Sequence, residues 1–478
     1  VHPYPAKYIN TISTKEFENT AEGETVKLSG RMMLFRSMGK LSFGHIQDLH
    51  GRTQFCFQEG TTEVFGLDTE KISSRKFWEK MLDLGDYIGI EGEVFITKHG
   101  EKTVLVKTLS FLGKSLRSLP EKFSGVHNEE TKLRQRYLET LSSKDARDRF
   151  LLRSQMIRSI REFFWKNEFI EVETPILEHS ATGASALPYF TKNNALDLDL
   201  VLRISHELPL KKIITGGFEK IFEIGKAFRN EGIDPSHLPE HTHFEWYSAY
   251  WSFEENMEYS EKLIQHIFSS LNISPLVPIK NKEGKETIID FGKPFERIDY
   301  IQRILQDTGI DILKYTEDEK GLLLEIEKQG VVIEDAKNMG YASLVDNLYK
   351  QTTRKKITGP AFLYNYPLKM QPLARVSDTN PNIVDQFQLV VNGWEIMKAY
   401  SELVDPVDQA KRFWQQEQEA LKGDAEAMQG DNEYITCMEY GMPPISGAGF
   451  GIDRFITLIT QQDNLRDCVF FPLMRPKP

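Results

Sequence analysis

FEIGKAFRNEGIDPSHLPEHTHFEWY, residues 222–247, sets a cation, Arg229, beside an acid, Glu231, and follows them with His237, His241, His243 and Glu245. Two hundred residues on, GAGFGIDR (447–454) runs into the helical FITLITQQ. Gly447, Gly449 and Gly451 occupy alternate positions, so along a strand they point one way and leave a flat floor on which a ligand can lie against backbone. Arg454 ends that Gly-rich corner, where strand turns into helix. Upstream, KNEFIEVETPIL (166–177) reads as the end of a helix followed by a strand that stops at Pro175.

Around these segments the pattern divides the chain. Residues 22–115 hold VKLSGRMMLFR, KLSFGHIQDL, RTQFCFQEG, DYIGIEGEVFITKHG and KTVLVKTLSFL, each alternating or β-branched, with Gly-containing turns between. Five strands in about 95 residues suit an OB-type barrel, a frequent nucleic-acid binder, or a generic small β-barrel. The expected division is a β-barrel over 1–115, a charged linker over 116–149 and a mixed α+β domain over 150–478. That domain opens with apolar residues at helical spacing over 150–167. Residues 276–360, with a KNKEGKE turn, the acidic TEDEKGLLLEIEKQG and a basic RKK, read as an irregular insertion.

The composition excludes several classes. With 478 residues, 40% hydrophobic and 27% charged, the chain is an ordinary globular protein with room for two or three domains. No apolar run reaches the roughly 18 residues that span a bilayer. The opening VHPYPAKYIN lacks a basic-then-apolar layout, so no export is expected and a cytoplasmic protein is. Cys56, Cys437 and Cys468 are scattered without metal-ligand spacing, which argues against a zinc site or a disulfide scaffold. The net charge of −11 bears on solubility and neither shows nor excludes a local basic groove.

The three segments, in their order and residues, resemble motifs 1, 2 and 3 of class II aminoacyl-tRNA synthetases, and the class I signatures are absent. The chain looks most like the lysyl family of the aspartyl/asparaginyl/lysyl subgroup, along nearly its whole length. The similar stretches are NALDLDLVLRISHELPLKKIITGGFEKIFEIGKAFRNEGID (194–234), LYNYP (363–367), PLAR (372–375), AYSELVDPVDQ (399–409), EYGMPPISGAGFGIDR (439–454) and FFPLMRP (470–476). The resemblance implies an OB-fold anticodon-binding barrel and a catalytic domain of antiparallel sheet flanked by helices. It also implies a homodimer that activates lysine with ATP and Mg2+ and charges tRNA(Lys). Rival expectations are an aspartyl- or asparaginyl-type synthetase and a degenerate tRNA-binding paralogue.

The chemistry suits these residues. Attack of a carboxylate on the α-phosphate builds negative charge that fixed cations must stabilise. Arg229 is placed for the α-phosphate and substrate carboxylate, Arg454 for the γ-phosphate, and Glu231 for the adenine amine, while Gly449 and Gly451 form the floor under ATP. By the resemblance His237 reaches the phosphates, His241 stands where a Phe stacks on adenine, and Glu395 is the magnesium ligand. Seven residues on from Glu395 the aspartyl enzyme carries an Arg for its anionic substrate; here Glu402 reverses the sign, as a lysine ammonium requires. The resemblance further implies Tyr247 near the ε-amine, Tyr400 along the aliphatic stem, Glu207 and Glu245 at the α-amine and pocket floor, and Gly183 over the substrate backbone.

Besides His241, three positions depart from the family. Gln388 replaces a second metal-binding Glu, Lys398 replaces an Asn in the pocket wall, and Pro209 replaces a Tyr, where it is expected to shorten or bend the start of a helix. In the barrel, Phe43, Gln54 eleven residues later, and Glu101 match the family's uridine-reading set, with Arg31 as a further base or phosphate partner.

Overall fold

The computed structural model describes residues 4–476 apart from 120–127, 185, 233, 281–285, 335, 337–338 and 422–429. The chain forms two compact units, Val1–Lys132 with Tyr137–Ser142, and Leu133–Arg136 with Ser143–Pro478. The stretch read as a linker carries two short helices, Glu129–Arg134 and Arg136–Ser142. The next helix, Lys144–Lys166, starts six residues earlier than its apolar spacing suggests, because Ser143 caps it and its first turn is polar.

The first unit is a barrel. Strands β1 (Thr25–Met38), β2 (Leu41–Gln47), β3 (Arg52–Gln58), β4 (Glu63–Val64), β5 (Tyr87–Ile96) and β6 (Lys102–Gly113) lie in the order β3-β2-β1-β5-β6-β4, and β3 pairs with β6 to close it. Alternation sends Val26, Leu28, Ile46, Phe55, Phe57, Ile88, Ile90 and Val104 inward to one core. Phe35, Phe55, Phe57 and Trp78 stack through it with centroids 4.6–6.4 Å apart.

The second unit is built on an eight-stranded sheet. Its first strand is the short β7 (Ile170–Glu171). Strands β8 (Leu177–Glu178), β9 (Tyr189–Asn193) and β10 (Leu198–Leu202) form a separate small sheet. Strands β11 (Lys220–Phe228) and β12 (Glu240–Ala249) follow, and β13 (Leu276–Lys280) pairs only with β14 (Glu286–Asp290). The large sheet is completed by β15 (Glu296–Asp299), β16 (Ala361–Pro367), β17 (Ile383–Val391), β18 (Trp394–Ser401) and β19 (Ile445–Gly451), in the order β15-β16-β17-β18-β19-β12-β11-β7. It is antiparallel except at its two ends, where β15 runs parallel to β16 and β7 parallel to β11.

One face of this sheet carries helices Lys144–Lys166 and Phe253–Ser270 over a single apolar core. Phe164 is fully buried there, its ring 4.8–5.4 Å from those of Phe169, Phe222, Phe244, Trp246 and Tyr259. Trp246 donates to Asn256 Oδ1 (2.9 Å), and Asn256 donates to Ser446 Oγ (3.0 Å), which pins the second helix to β12 and β19.

Residues 276–360 correct the expectation of an irregular insertion. They supply the β13–β14 hairpin, edge strand β15 and helices Tyr300–Thr308, Glu319–Lys328 and Tyr341–Thr352, which bury a second core with β16. The KNKEGKE turn lies largely outside the described residues. Pro209 also departs from expectation: helix Glu207–Thr215 contains it in the first turn, where a missing N–H costs no hydrogen bond.

Candidate active site

The opposite face of the sheet opens into a cavity of about 940 Å³, beside helix Glu207–Thr215. Its floor follows from register. Gly447 pairs with Tyr247 and Tyr400, Gly449 with Glu245 and Lys398, and Gly451 with His243, so three strands present one row each. A methyl group on Gly447 would lie 2.1 Å from the Tyr247 ring and 2.7 Å from Glu402, so this position tolerates no side chain. In β18 the register slips at Ile396: Val390 faces Glu395, while Leu389 faces Met397. This bulge returns Glu395 to the face that Lys398 and Tyr400 share, despite their different parity.

At the end expected to hold the nucleotide, Arg229 donates through Nε to the Ile204 carbonyl (3.3 Å), and Glu231, Glu245 and Glu395 surround its charge. Arg454 Nη1 donates to the Glu395 carbonyl (2.9 Å), and its Nη2 lies 3.3 Å from His237 Nε2. His237 Nδ1 in turn meets Asp234 (2.8 Å), so an acid, an imidazole and a guanidinium form a chain at the cavity edge. Burial lowers the pKa of both arginines, and carboxylates counter it. His241 also faces the cavity; burial and then His243, Arg229 and Arg454 hold its pKa down at about 2, which leaves a neutral ring.

The end expected to hold the amino acid is a buried acidic nest. Glu245 accepts from Ser205 Oγ (3.0 Å), the His206 N–H (3.2 Å) and Tyr247 OH (3.0 Å), and His243 Nε2 lies 2.9 Å away. Burial alone would raise its pKa, but His206 and His243 pull it well below the usual carboxylate value. Glu207 receives Lys211 Nζ (2.6 Å) and the Tyr400 hydroxyl. Glu402 is 1% exposed and pairs through Oε2 with the same Lys211, while its Oε1 has no hydrogen bond among the described residues. Burial, reinforced by Glu207 and Glu245, pushes its pKa well above the ordinary range against the pull of Lys211. Gly183, at φ +80°, fits over this nest because a methyl group there would sit 3.2 Å from Glu207 Cβ.

His206, His243 and Glu245 present donor atoms within 4.8 Å of one another. The shared Glu245 oxygen already accepts from Ser205 and the His206 N–H, so the trio serves to hold that carboxylate rather than to chelate.

Every residue expected at the ATP and amino-acid sites thus borders this cavity or its edge. Two partners escaped the sequence reading. Lys211 was legible in principle, since Glu207 and Lys211 stand four apart on one helix. His206 left no sequence signal; its place between Glu223 (3.6 Å) and Glu245 (3.8 Å) is set by tertiary packing.

In the barrel, alternation puts Phe43, His45 and Gln54 on the outer face, with His45 opposite Gln54. Gln54 accepts from Thr103 Oγ1 (2.7 Å), and His45 Nε2 lies 3.2 Å from Glu101. Phe43, Gln54 and Glu101 therefore border one surface, and His45 joins them unforeseen. Arg31 is already engaged: it stacks on Tyr87 (4.3 Å) and donates to the Gly85 carbonyl (2.9 Å).

Comparison with known proteins agrees with this geometry. Residues 128–475 match the tRNA synthetases class II (D, K and N), and residues 26–112 match the OB-fold nucleic acid binding domain. The chain belongs to the class II tRNA synthetases of this D, K and N family. Within it, the chain is 39% identical over 480 residues to the lysine–tRNA ligase of Carboxydothermus hydrogenoformans, covering 100% of this chain and 95% of that protein. It is 39% identical over 466 residues to the lysine–tRNA ligase of Aquifex aeolicus, covering 97% of this chain and 75% of the relative. Against that of Neisseria meningitidis serogroup A the identity is 40% over 456 residues, covering 95% and 88%.

Proposed function

We infer that this chain is a lysine–tRNA ligase, which forms lysyl-adenylate from lysine and ATP and passes the lysyl group to the 3′ end of tRNA(Lys). The observation that carries the choice of amino acid is Glu402, a carboxylate in the cavity wall that is 1% exposed, with Oε2 on Lys211 and Oε1 without a hydrogen bond among the described residues. A buried carboxylate with an open acceptor oxygen favours a cationic guest and penalises an acidic one.

The lysine ε-ammonium is read against Glu402 and Tyr247, its stem along Tyr400, and its α-amine at Glu207 and Glu245 beneath Gly183. Arg229 aligns the lysine carboxylate with the α-phosphate, His241 and Glu231 hold the adenine, and Arg454 with His237 takes the outer phosphates above Gly449 and Gly451. The carboxylate oxygen bonds to the α-phosphorus and pyrophosphate leaves; the terminal ribose hydroxyl then attacks the lysyl carbonyl and AMP leaves. Positioning and charge stabilisation supply the acceleration, without a covalent enzyme intermediate. Magnesium fits at Glu395, the carboxylate beside Arg454, where it would neutralise phosphate charge. Phe43, Gln54, Glu101 and Arg31 are read as the anticodon surface.

The family resemblance supports a homodimer, with KNEFIEVETPIL at its interface. No helix among the described residues is long and apolar enough to cross a membrane, and the three cysteines are unpaired. We place the reaction in the cytoplasm, where its substrates meet. Pyrophosphate exchange run separately with lysine, aspartate and asparagine tests this reading, and lysine alone should drive it. Glu402→Gln should raise the KM for lysine at least about tenfold, the scale of one lost charged contact. Exchange driven by aspartate, or none with any amino acid, would overturn the assignment in favour of a sister specificity or a non-catalytic paralogue.

A further inference from the structure

Lys398 lies in the cavity wall, and this mechanism leaves it unused. It sits on β18 between Glu395 at the nucleotide end and Tyr400 and Glu402 at the amino-acid end, on the face all four share. Successive same-face residues lie about 7 Å apart along a strand, which puts Lys398 at the seam between the two halves. Its Nζ stands 5.9 Å from the Tyr400 ring centroid. Among the described residues no carboxylate lies within ion-pair distance of it, whereas Lys211 and Lys212 on helix Glu207–Thr215 each hold two.

Its neighbours leave that charge free to act. On one side Gly449 contributes no side chain; on the other, Gln388 is directly opposite. Gln388 is a neutral amide whose Oε1 is occupied by the Tyr366 hydroxyl (2.8 Å), so it offers no charge with which to hold a cation. An unpaired ammonium that faces a seam where carboxylate meets triphosphate will be drawn to the group that gains negative charge. That group is the α-phosphoryl.

We propose that Lys398 is a catalytic residue whose ammonium binds the α-phosphoryl oxygens as the lysine carboxylate attacks, in the place where a cation held at position 388 would otherwise stand. The bond changes are those of adenylation: a C–O–P bond forms, the bond to pyrophosphate breaks, and Lys398 keeps its proton throughout. A contact made chiefly in the transition state lowers kcat and kcat/KM together.

This rests on the reading of the chain as an adenylate-forming lysine ligase. Wild-type enzyme that fails to exchange pyrophosphate with lysine would sink that reading, whereas wild-type exchange that survives loss of Lys398 sinks only this inference. Lys398→Met and Lys398→Gln should each slow adenylate formation about 100-fold with the KM for lysine within about threefold of wild type. Lys398→Arg should recover part of the rate, and melting temperatures report that the variants fold. Binding supplies a second readout: with a non-hydrolysable ATP analogue, the Gln388→Glu/Lys398→Asn double variant should hold more Mn2+ per subunit by electron paramagnetic resonance than wild type does. The proposal is overturned by unchanged rates in both neutral variants, by a KM for lysine that falls while the rate holds, or by equal Mn2+ counts.

Discussion

At the scale of single residues, the amino-acid end combines two carboxylates and one internal ammonium. Lys211 is fully buried between Glu207 and Glu402, and both glutamates raise its pKa against the desolvation that lowers it. Burial pushes the pKa of Glu402 well above the carboxylate range, against the pull of the Lys211 ammonium. The sign follows: raising the pH through the pKa of Glu402 in the free enzyme ionises the pocket, so the KM for lysine should fall as pH rises until the substrate's own amines titrate. The pH profile of KM for lysine, with ATP saturating, checks this; a flat profile that persists in Glu402→Gln would remove Glu402 from the pocket's titration. The charge reversal at 402 was legible in the sequence as a count from Glu395. The ammonium that shares Glu402 was not, because Lys211 reaches it across the fold from another element.

At the scale of elements, strand alternation was readable and strand irregularity was not. Gly447, Gly449 and Gly451 form the floor their spacing implies. The bulge at Ile396, which brings Glu395 onto the same face as Lys398, has no sequence marker: no Gly or Pro stands there, and the slip is imposed by pairing with β17. Residues 276–360 were misread for a related reason. Their short helices take apolar contacts from a shared second core rather than from long periodic faces of their own. The long helix Lys144–Lys166 was legible because its apolar stripe is strong, and Phe164 is the residue through which it meets β11 and β12. Phe164→Ala would open a cavity among five aromatic rings and should cost about 3–5 kcal/mol, to be measured by denaturant unfolding followed through the catalytic unit's tryptophan fluorescence.

At the scale of the whole molecule, each unit has a core of its own, Phe55 and Ile88 centring one and Phe164 and Phe244 the other. The residues proposed for amino-acid activation lie in the second unit, and Phe43 and Gln54 lie in the first. Phe43→Ala and Gln54→Ala should therefore raise the KM for tRNA about tenfold or more, the scale of one lost base-stacking contact, while lysine-dependent pyrophosphate exchange stays at the wild-type rate. Loss of exchange in these variants would contradict the assignment of the barrel surface to tRNA. The division into a barrel and a mixed domain was readable from the change in hydrophobic period, but the helices at 129–142 were hidden by their charge.

The absent side chain at position 447 has a consequence for evolution and for engineering alike. That spot touches both a phenol and an acid, Tyr247 and Glu402, while Gly449 and Gly451, the floor proposed for the nucleotide, lie farther along the same ribbon. Growth by a single carbon would evict the amino acid before it disturbed the adenosine. On the proposed reading, choice of cargo and grip on fuel are thus separable by one methyl.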